Sequence, residues 1–336
     1  MRMLLLVLGM LLIPAGAAAP ADAPAQLAFV AAEGRVPQIF VIGADGTGRR
    51  RLTNAAGPST TPVWSPDGRR IAFVRQTGDN AELYVMGADG GAPRALTTGS
   101  GRAASPAWAP DGRQIVFTAS SDRRSRIMVV NSDGRQRRSV VPSHRDQRDA
   151  AWSPDGQLIV FLSRAVPGHF DLYVVGADGQ NLRQVPTPAP GVLPDVKEFT
   201  WSPDGRLAYT NRSGPAQEAV TLTTVGGDAR QYLGASGEPS WPPDGRRFAF
   251  VASHSGAALI YARDTAGGKA LRLTDPRLTS VRPAWSPDGR HIAYLALERG
   301  TVTLTVMDAD GGHKRPLAAD VYGDLSARPV FSWRPR

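Results

Sequence analysis

Three sets of side chains in this 336-residue chain have the type and repetition that chemistry needs. The first is five histidines, His144, His169, His254, His291 and His313. Imidazole is a common ligand for catalytic metals, but no tight metal-binding spacing joins any of the five. The second is six aspartates recurring along the chain, Asp67, Asp111, Asp155, Asp204, Asp244 and Asp288, whose carboxylates would bind a hard cation if they converged. The third is arginine, in the run Arg49, Arg50 and Arg51 and the group Arg135, Arg137 and Arg138, with Lys314 and Arg315 as a further basic pair. Lysine plus arginine number 39 against 30 acidic residues, a formal net charge of +9. Charge of that size steers association with anionic partners and says nothing of fold.

The elements that carry these residues are set by a repeated phrase, Trp-x-Pro-Asp-Gly. It begins at Trp64, Trp108, Trp152, Trp201, Trp241 and Trp285, at spacings of 44, 44, 49, 40 and 44 residues. A four-residue apolar, β-branched or aromatic run comes after each phrase, as in Ile71-Ala72-Phe73-Val74, which is strand chemistry. Between tryptophan and strand, Pro presets φ, Asp bonds its own backbone and Gly takes the positive φ of a tight turn. A second strand then runs into a second turn, such as Gly87-Ala88-Asp89-Gly90, and a short last strand ends the unit. Four strands and two turns in this length match one blade of a β-propeller, whose repeats run to about 40–45 residues.

Counting strands rather than phrases adds a unit. Residues 27–30 resemble 71–74, and 39–46 resemble the later strand and turn. At the other end, 328–332 align with 282–286, placing Phe331 at the tryptophan position. The expectation is an all-β, seven-bladed propeller in which the C-terminal strand becomes the innermost strand of the N-terminal blade and removes the open edges. A six-bladed ring with an unpaired remainder is the lesser reading. The tryptophans are expected between blades near the centre. Pro62, Pro106, Pro239, Pro283 and Pro329, each two places before the aromatic, mark where the innermost strand begins.

Arg2, the apolar run 4–13 and the small-residue stretch 15–21 have the layout of a secretory leader, so residues 1–21 read as a signal peptide and 22–336 as the propeller. Cleavage is expected after Ala21, with Ala18 as the second option. The apolar run is shorter than the ~20 residues a spanning helix needs. The chain has no cysteine, which excludes a disulfide framework, a thiolate metal site and a Cys-linked lipid anchor.

With its Trp-Ser-Pro-Asp-Gly phrases, Ile-Ala-Phe-type strands and Asp-Gly turns, the chain resembles the TolB family over everything after the leader. The resemblance implies a propeller in the bacterial periplasm that serves as a protein-binding platform in the Tol–Pal envelope system. It is to the propeller alone. The TolB pattern places an α/β domain before a six-bladed propeller, whereas strands here begin at about Leu27.

There is no Gly-x-Ser-x-Gly elbow, phosphate-binding loop or His-Glu-x-x-His pattern. Prolyl-peptidase relatives carry a hydrolase domain beyond such a propeller, and with the sequence ending at Arg336 a peptidase is not expected. Similar repeats occur in metal-dependent oligogalacturonate lyases. In that reading His144, His169 and His254 fall in loops on one face of the disk and would cluster; in the alternative they are surface or turn residues. The six aspartates read as turn caps, too far round the ring to converge.

Many arginines come directly after one of the two turns, and both turns project from one face. That face is therefore expected either to dock anionic partners or to carry solvated turn ends. The expectation is an exported, non-catalytic, monomeric binding module without cofactor or metal. Its partners would be envelope proteins, lipoproteins among them, or anionic envelope polymers. Nucleic acid and a membrane span after leader cleavage are not expected. The insertions 185–199 and 319–327 are the candidate specificity loops.

Overall fold

Each phrase folds into the turn its residues prescribe. In a computed structural model, Ser65 Oγ donates to Asp67 Oδ1 at 2.5 Å, and the Arg69 N–H donates to the same oxygen at 3.0 Å. Gly68 closes the turn at φ 63°, a conformation that a side chain would strain. The structure describes residues 25–336 except 33, 35, 100, 122–123, 143–144, 187–194, 213–217, 228–229, 233–236 and 323–328. The leader, His144 and most of the two insertions lie outside the described residues.

The unit of Trp64 shows the plan. Ser59–Trp64, Arg70–Thr77, Asn80–Gly87 and Arg94–Ala95 form an antiparallel meander, with Trp64 opposite Ile71, Ile71 opposite Met86 and Val85 opposite Arg94. Similar units carry Trp108, Trp152, Trp201, Trp241 and Trp285. The Trp64 and Trp108 units are joined into one eight-stranded sheet by a single parallel pair, Ala81 with Arg102. In the remaining sheet, Gln26–Ala31, Gln38–Gly43 and Arg50–Arg51 are completed by the C-terminal strand Phe331–Trp333, which lies antiparallel to the first of them. No helix occurs among the described residues.

Both faces of each sheet are buried, which is why the strand after each phrase is apolar but for a threonine at the end of two of them, Thr118 and Thr210. Ile71 and Phe73 turn one way, into a cluster with Ala28, Ile39 and Val41 of the N-terminal sheet. Ala72 and Val74 turn the other way, into a cluster with Trp108, Ile115 and Phe117 of the next unit. The pattern continues from unit to unit. It ends with Ala293, Leu295 and Leu304 of the Trp285 unit packing on Leu27, Phe29 and Trp333.

The C-terminal strand corrects one detail of the sequence alignment. Leu27, the counterpart of Ile71, lies opposite Trp333, whereas Phe331 lies opposite Phe29. Trp333 therefore takes the tryptophan position and Phe331 does not. The reason lies in the backbone and indole contacts around Trp333. The Arg334 N–H bonds the Gln26 carbonyl at 2.8 Å, as the Ser65 N–H bonds that of Arg70. The indole N–H of Trp333 donates to Ala284 O at 2.9 Å, and Trp108 does the same to Val63 O at 3.1 Å. Trp333-Arg334-Pro335 keeps Trp-x-Pro, with Arg336 where Asp stands elsewhere.

Trp333 is 8% exposed, and it joins the first sheet to the last. Trp333→Ala should cost about 3–5 kcal/mol of unfolding free energy, the range for a buried aromatic. Urea denaturation measures this. A loss below about 1 kcal/mol would mean that the C-terminal strand is not part of the cooperative core.

Candidate functional site

The repeats stop agreeing three places before each tryptophan, where Thr61, Ser105, Asp149, Glu198, Glu238 and Arg282 stand. Five of these adopt left-handed backbone: Thr61 at φ 52°, Ser105 at 47°, Asp149 at 50°, Glu238 at 52° and Arg282 at 58°. In each case the first strand slips register against the second there, forming a bulge. Positive φ at a residue other than glycine costs about 1–2 kcal/mol, and bulges of this kind often re-aim side chains beside functional sites.

The bulges are held partly by one another. Ser105 Oγ donates to Asp149 Oδ1 of the next unit at 2.9 Å, and the Asp149 N–H is met by Thr118 Oγ1 at 3.2 Å. Further along, Glu198 accepts the backbone N–H of Glu238. Glu238 accepts that of Arg282 at 2.6 Å and pairs with the Arg282 guanidinium at 3.3 Å.

Glu198, Glu238 and Arg282 open on a cavity of about 260 Å³ walled by Phe199, Pro239, Pro283, Pro329 and Phe331. Its lining comes from the first strands of three successive units together with the C-terminal segment. Apolar walls with a few convergent polar groups are the usual composition of a binding site. Toward the turns lies a second cavity of about 390 Å³, lined by Trp201, Trp241 and Trp285 with Pro203, Pro243 and Pro287.

The repeated aspartates stay in their turns. Asp111, Asp155, Asp244 and Asp288 each accept the backbone N–H two residues on, at 2.9–3.0 Å, as Asp67 does. Asp204 takes the Ser202 hydroxyl and the Arg206 side chain. The tryptophans lie between units, with Arg70 over Trp108 at 4.8 Å, Arg334 over Trp64 at 5.1 Å and Arg247 over Trp285 at 5.8 Å. Trp64, Trp108, Trp152 and Trp285 are buried, whereas Trp201 and Trp241 are half-buried.

The basic residues divide. Arg50, Arg138 and Arg315 start the outermost strands and donate to backbone carbonyls of the neighbouring sheet, Asp89, Ala177 and Ala44, at 2.5, 2.5 and 3.0 Å. Arg94 donates likewise to the carbonyl of Asp133 in the next unit at 2.7 Å, and Gln231 to that of Thr265 at 3.1 Å. Arg49 pairs with Asp320 and Arg51 donates to Thr53 O. Lys314 donates to Gly311 O. Arg135 is exposed, near Asp133 at 4.0 Å, and Arg137 is exposed beside it.

His169 lies 3.9 Å from Asp195, His254 is exposed in a hairpin, and His291 and His313 both face Asp308, at 3.9 and 2.6 Å. Among the described residues no three histidine, cysteine, aspartate or glutamate side chains gather as a metal site.

Sequence reasoning missed the position three places before each tryptophan. The signal was available as a place in the phrase's neighbourhood where Thr, Ser, Asp, Glu and Arg replace one another.

The family described as TolB beta propeller domain matches residues 13–204 and 195–335. Among solved structures, TolB from Acinetobacter baumannii superposes with a TM-score of 0.61 at 20% identity, over 94% of this chain and 68% of its own. An oligogalacturonate lyase in complex with manganese superposes with a TM-score of 0.70 at 15% identity, over 84% of this chain and 85% of its own. At such identities the likeness is one of fold. The uncharacterized peptidase YuxL of Bacillus subtilis (strain 168) is 35% identical over 91 residues, and the match spans 24% of this chain and 14% of that protein's length.

The turn carboxylates make stability pH-dependent. The Ser153 hydroxyl and the Gln157 N–H hold Asp155 below its ordinary value. At Asp67 and Asp288 burial pushes the other way, but the serine hydroxyl and backbone N–H outweigh it and the net shift is down. A carboxyl lowered in the folded state contributes stability that is present above its unfolded value of 3.8 and lost as pH falls through the folded value. Urea midpoints of the parent should therefore drop between about pH 5 and pH 3, and Asp155→Asn should flatten part of that drop. Parallel curves for parent and variant would contradict the assignment.

Proposed function

The chain belongs to the TolB β-propeller domain family, and we propose that it is an exported, non-catalytic binding module of the bacterial cell envelope, built as a closed ring of seven blades. The pairing of Trp333 with Leu27 and the bond from Arg315 to Ala44 O support the ring, because both bring the last unit onto the first. Residues 1–21 act as the leader that sends it out of the cytoplasm. No helix among the described residues is long and apolar enough to cross a membrane.

One observation carries the functional reading. The side chains that repeat are committed to building blades: aspartate to turns, tryptophan to the seams, arginine to neighbouring carbonyls. Those that vary stand together at Glu198, Glu238 and Arg282, on an apolar-walled cavity. Variable groups on a rigid frame are where recognition resides. The central cavity and the loops around it therefore receive a partner protein, with envelope lipoproteins among the candidates.

Affinity capture from bacterial envelope extracts tests this. The parent chain should retain envelope proteins, and Glu198→Ala combined with Arg282→Ala should release them while the circular dichroism of the fold is kept. Turnover of oligogalacturonate on addition of manganese would overturn the non-catalytic reading.

A further inference from the structure

On the face opposite the turns, two successive units bring arginines to one ledge, where two carboxylates pair with two of them. Asp146 is the hub. One of its carboxylate oxygens accepts the backbone N–H of Ser125 at 3.2 Å, and the other pairs with Arg164 at 2.9 Å. Ser125 lies between Arg124 and Arg126 on the strand Arg124–Asn131, so the bond to Asp146 fixes the backbone between that strand's two arginines, and Arg145 adjoins Asp146 in sequence. Arg148 completes the group, 3.7 Å from Asp149, with its guanidinium 4.2 Å from the centre of the Phe170 ring; that of Arg164 is 5.8 Å from it.

This group differs in use from the turn-face arginines that start the outermost strands. Arg50, Arg94, Arg138 and Arg315 are committed to neighbouring carbonyls. Arg124 and Arg126 are exposed, and among the described residues neither has an ion-pair partner. The side chains of Arg148 and Arg164 are 40% and 47% exposed. Asp149 also accepts the Ser105 hydroxyl, which further divides what negative charge the ledge holds. Nearby Lys197 and Asp195 pair with each other at 2.7 Å and leave the balance unchanged.

We infer that this ledge, centred on Arg124, Arg126 and Arg164, binds an extended acidic segment of a partner protein with carboxylates at alternate positions. Arg124 and Arg126 share one side of a strand, so their side chains repeat at roughly 6.6 Å, the interval at which alternate side chains of an extended peptide also repeat. Planar guanidinium forks match carboxylates two bonds at a time, which rewards that register over diffuse charge attraction. The backbone N–H groups of Ser125 and Ile127 are already taken by Asp146 and Gln147, so recognition falls to the side chains and not to strand addition. The inference rests on the binding-module reading and adds a surface and a partner chemistry to it.

The test uses the full chain and a labelled synthetic peptide alternating glutamate with serine, monitored by fluorescence anisotropy. The parent should bind it more weakly as salt rises. Arg124→Glu combined with Arg126→Glu should weaken binding by about tenfold or more, and the double alanine variant by less. Arg290→Glu, on the turn face, should leave binding within about twofold. Unfolding midpoints equal to the parent's show that the variants fold. Unchanged peptide affinity in the double glutamate variant overturns the proposal. So does binding of polyphosphate, but not of the peptide, through the same arginines. If the double variant still captures envelope proteins as the parent does, the module reading stands and this surface is removed from it.

Discussion

A four-stranded meander with two apolar faces cannot bury itself, and this constraint shapes the rest of the structure. Each sheet needs a neighbour on both sides, so the first and last sheets must also find cover. Residues alternating along one strand serve two different cores: Ile71 and Phe73 pack toward the N-terminal sheet, Ala72 and Val74 toward the unit of Trp108. Polar links at the seams add direction to this non-directional burial. An arginine or glutamine at the start of an outer strand reaches a carbonyl of the neighbouring sheet, and an arginine lies over the tryptophan at three of the seams. Leu271 holds the same outer-strand position in the Trp241 unit, and its exposed apolar side chain can make no such carbonyl bond.

This division of labour explains why so much conspicuous chemistry in the chain is architectural. Asp155 is one of a set of regularly spaced carboxylates, yet its oxygen is occupied by Ser153 and Gln157. What remains for recognition is what the repeats do not share. The bulges set Glu198, Glu238 and Arg282 on one cavity, and a slack region of charge on the opposite face from the turns leaves Arg124 and Arg126 in solvent. Both features combine a rigid frame with positions whose residue type changes along the series of units.

Much of the frame was legible from residue order. Turn residues have local causes: Pro fixes its own φ, Asp bonds two residues ahead, and Gly supplies positive φ, so Ser65 to Arg70 could be read as a hairpin entry without a neighbour in view. Strand type was equally local in Ile71 to Val74. The C-terminal register was not, because two aromatics, Phe331 and Trp333, compete for one position. The contacts that decide between them, to Gln26 and Ala284, are hundreds and tens of residues away. The roles of the arginines were hidden for the same reason. Arg138 after a turn looks alike in sequence whether its guanidinium meets water or the carbonyl of Ala177. The site position was obscured by conformation: nothing in the letters Glu238-Pro239 or Arg282-Pro283 announces a left-handed residue before proline.

The central claim is that the last strand closes the first sheet, and a cross-link tests it most directly. The chain contains no cysteine, so Ala28→Cys with Ser332→Cys introduces the only two thiols. These residues are direct partners across an antiparallel pair, where Cα atoms stand about 4.5–5.5 Å apart, within the range a disulfide spans. Under mild oxidant the folded double variant should form an intramolecular disulfide, with both thiols lost to titration and a higher urea midpoint than its reduced form. Two thiols that stay reactive in the folded, oxidant-treated protein would contradict the closure.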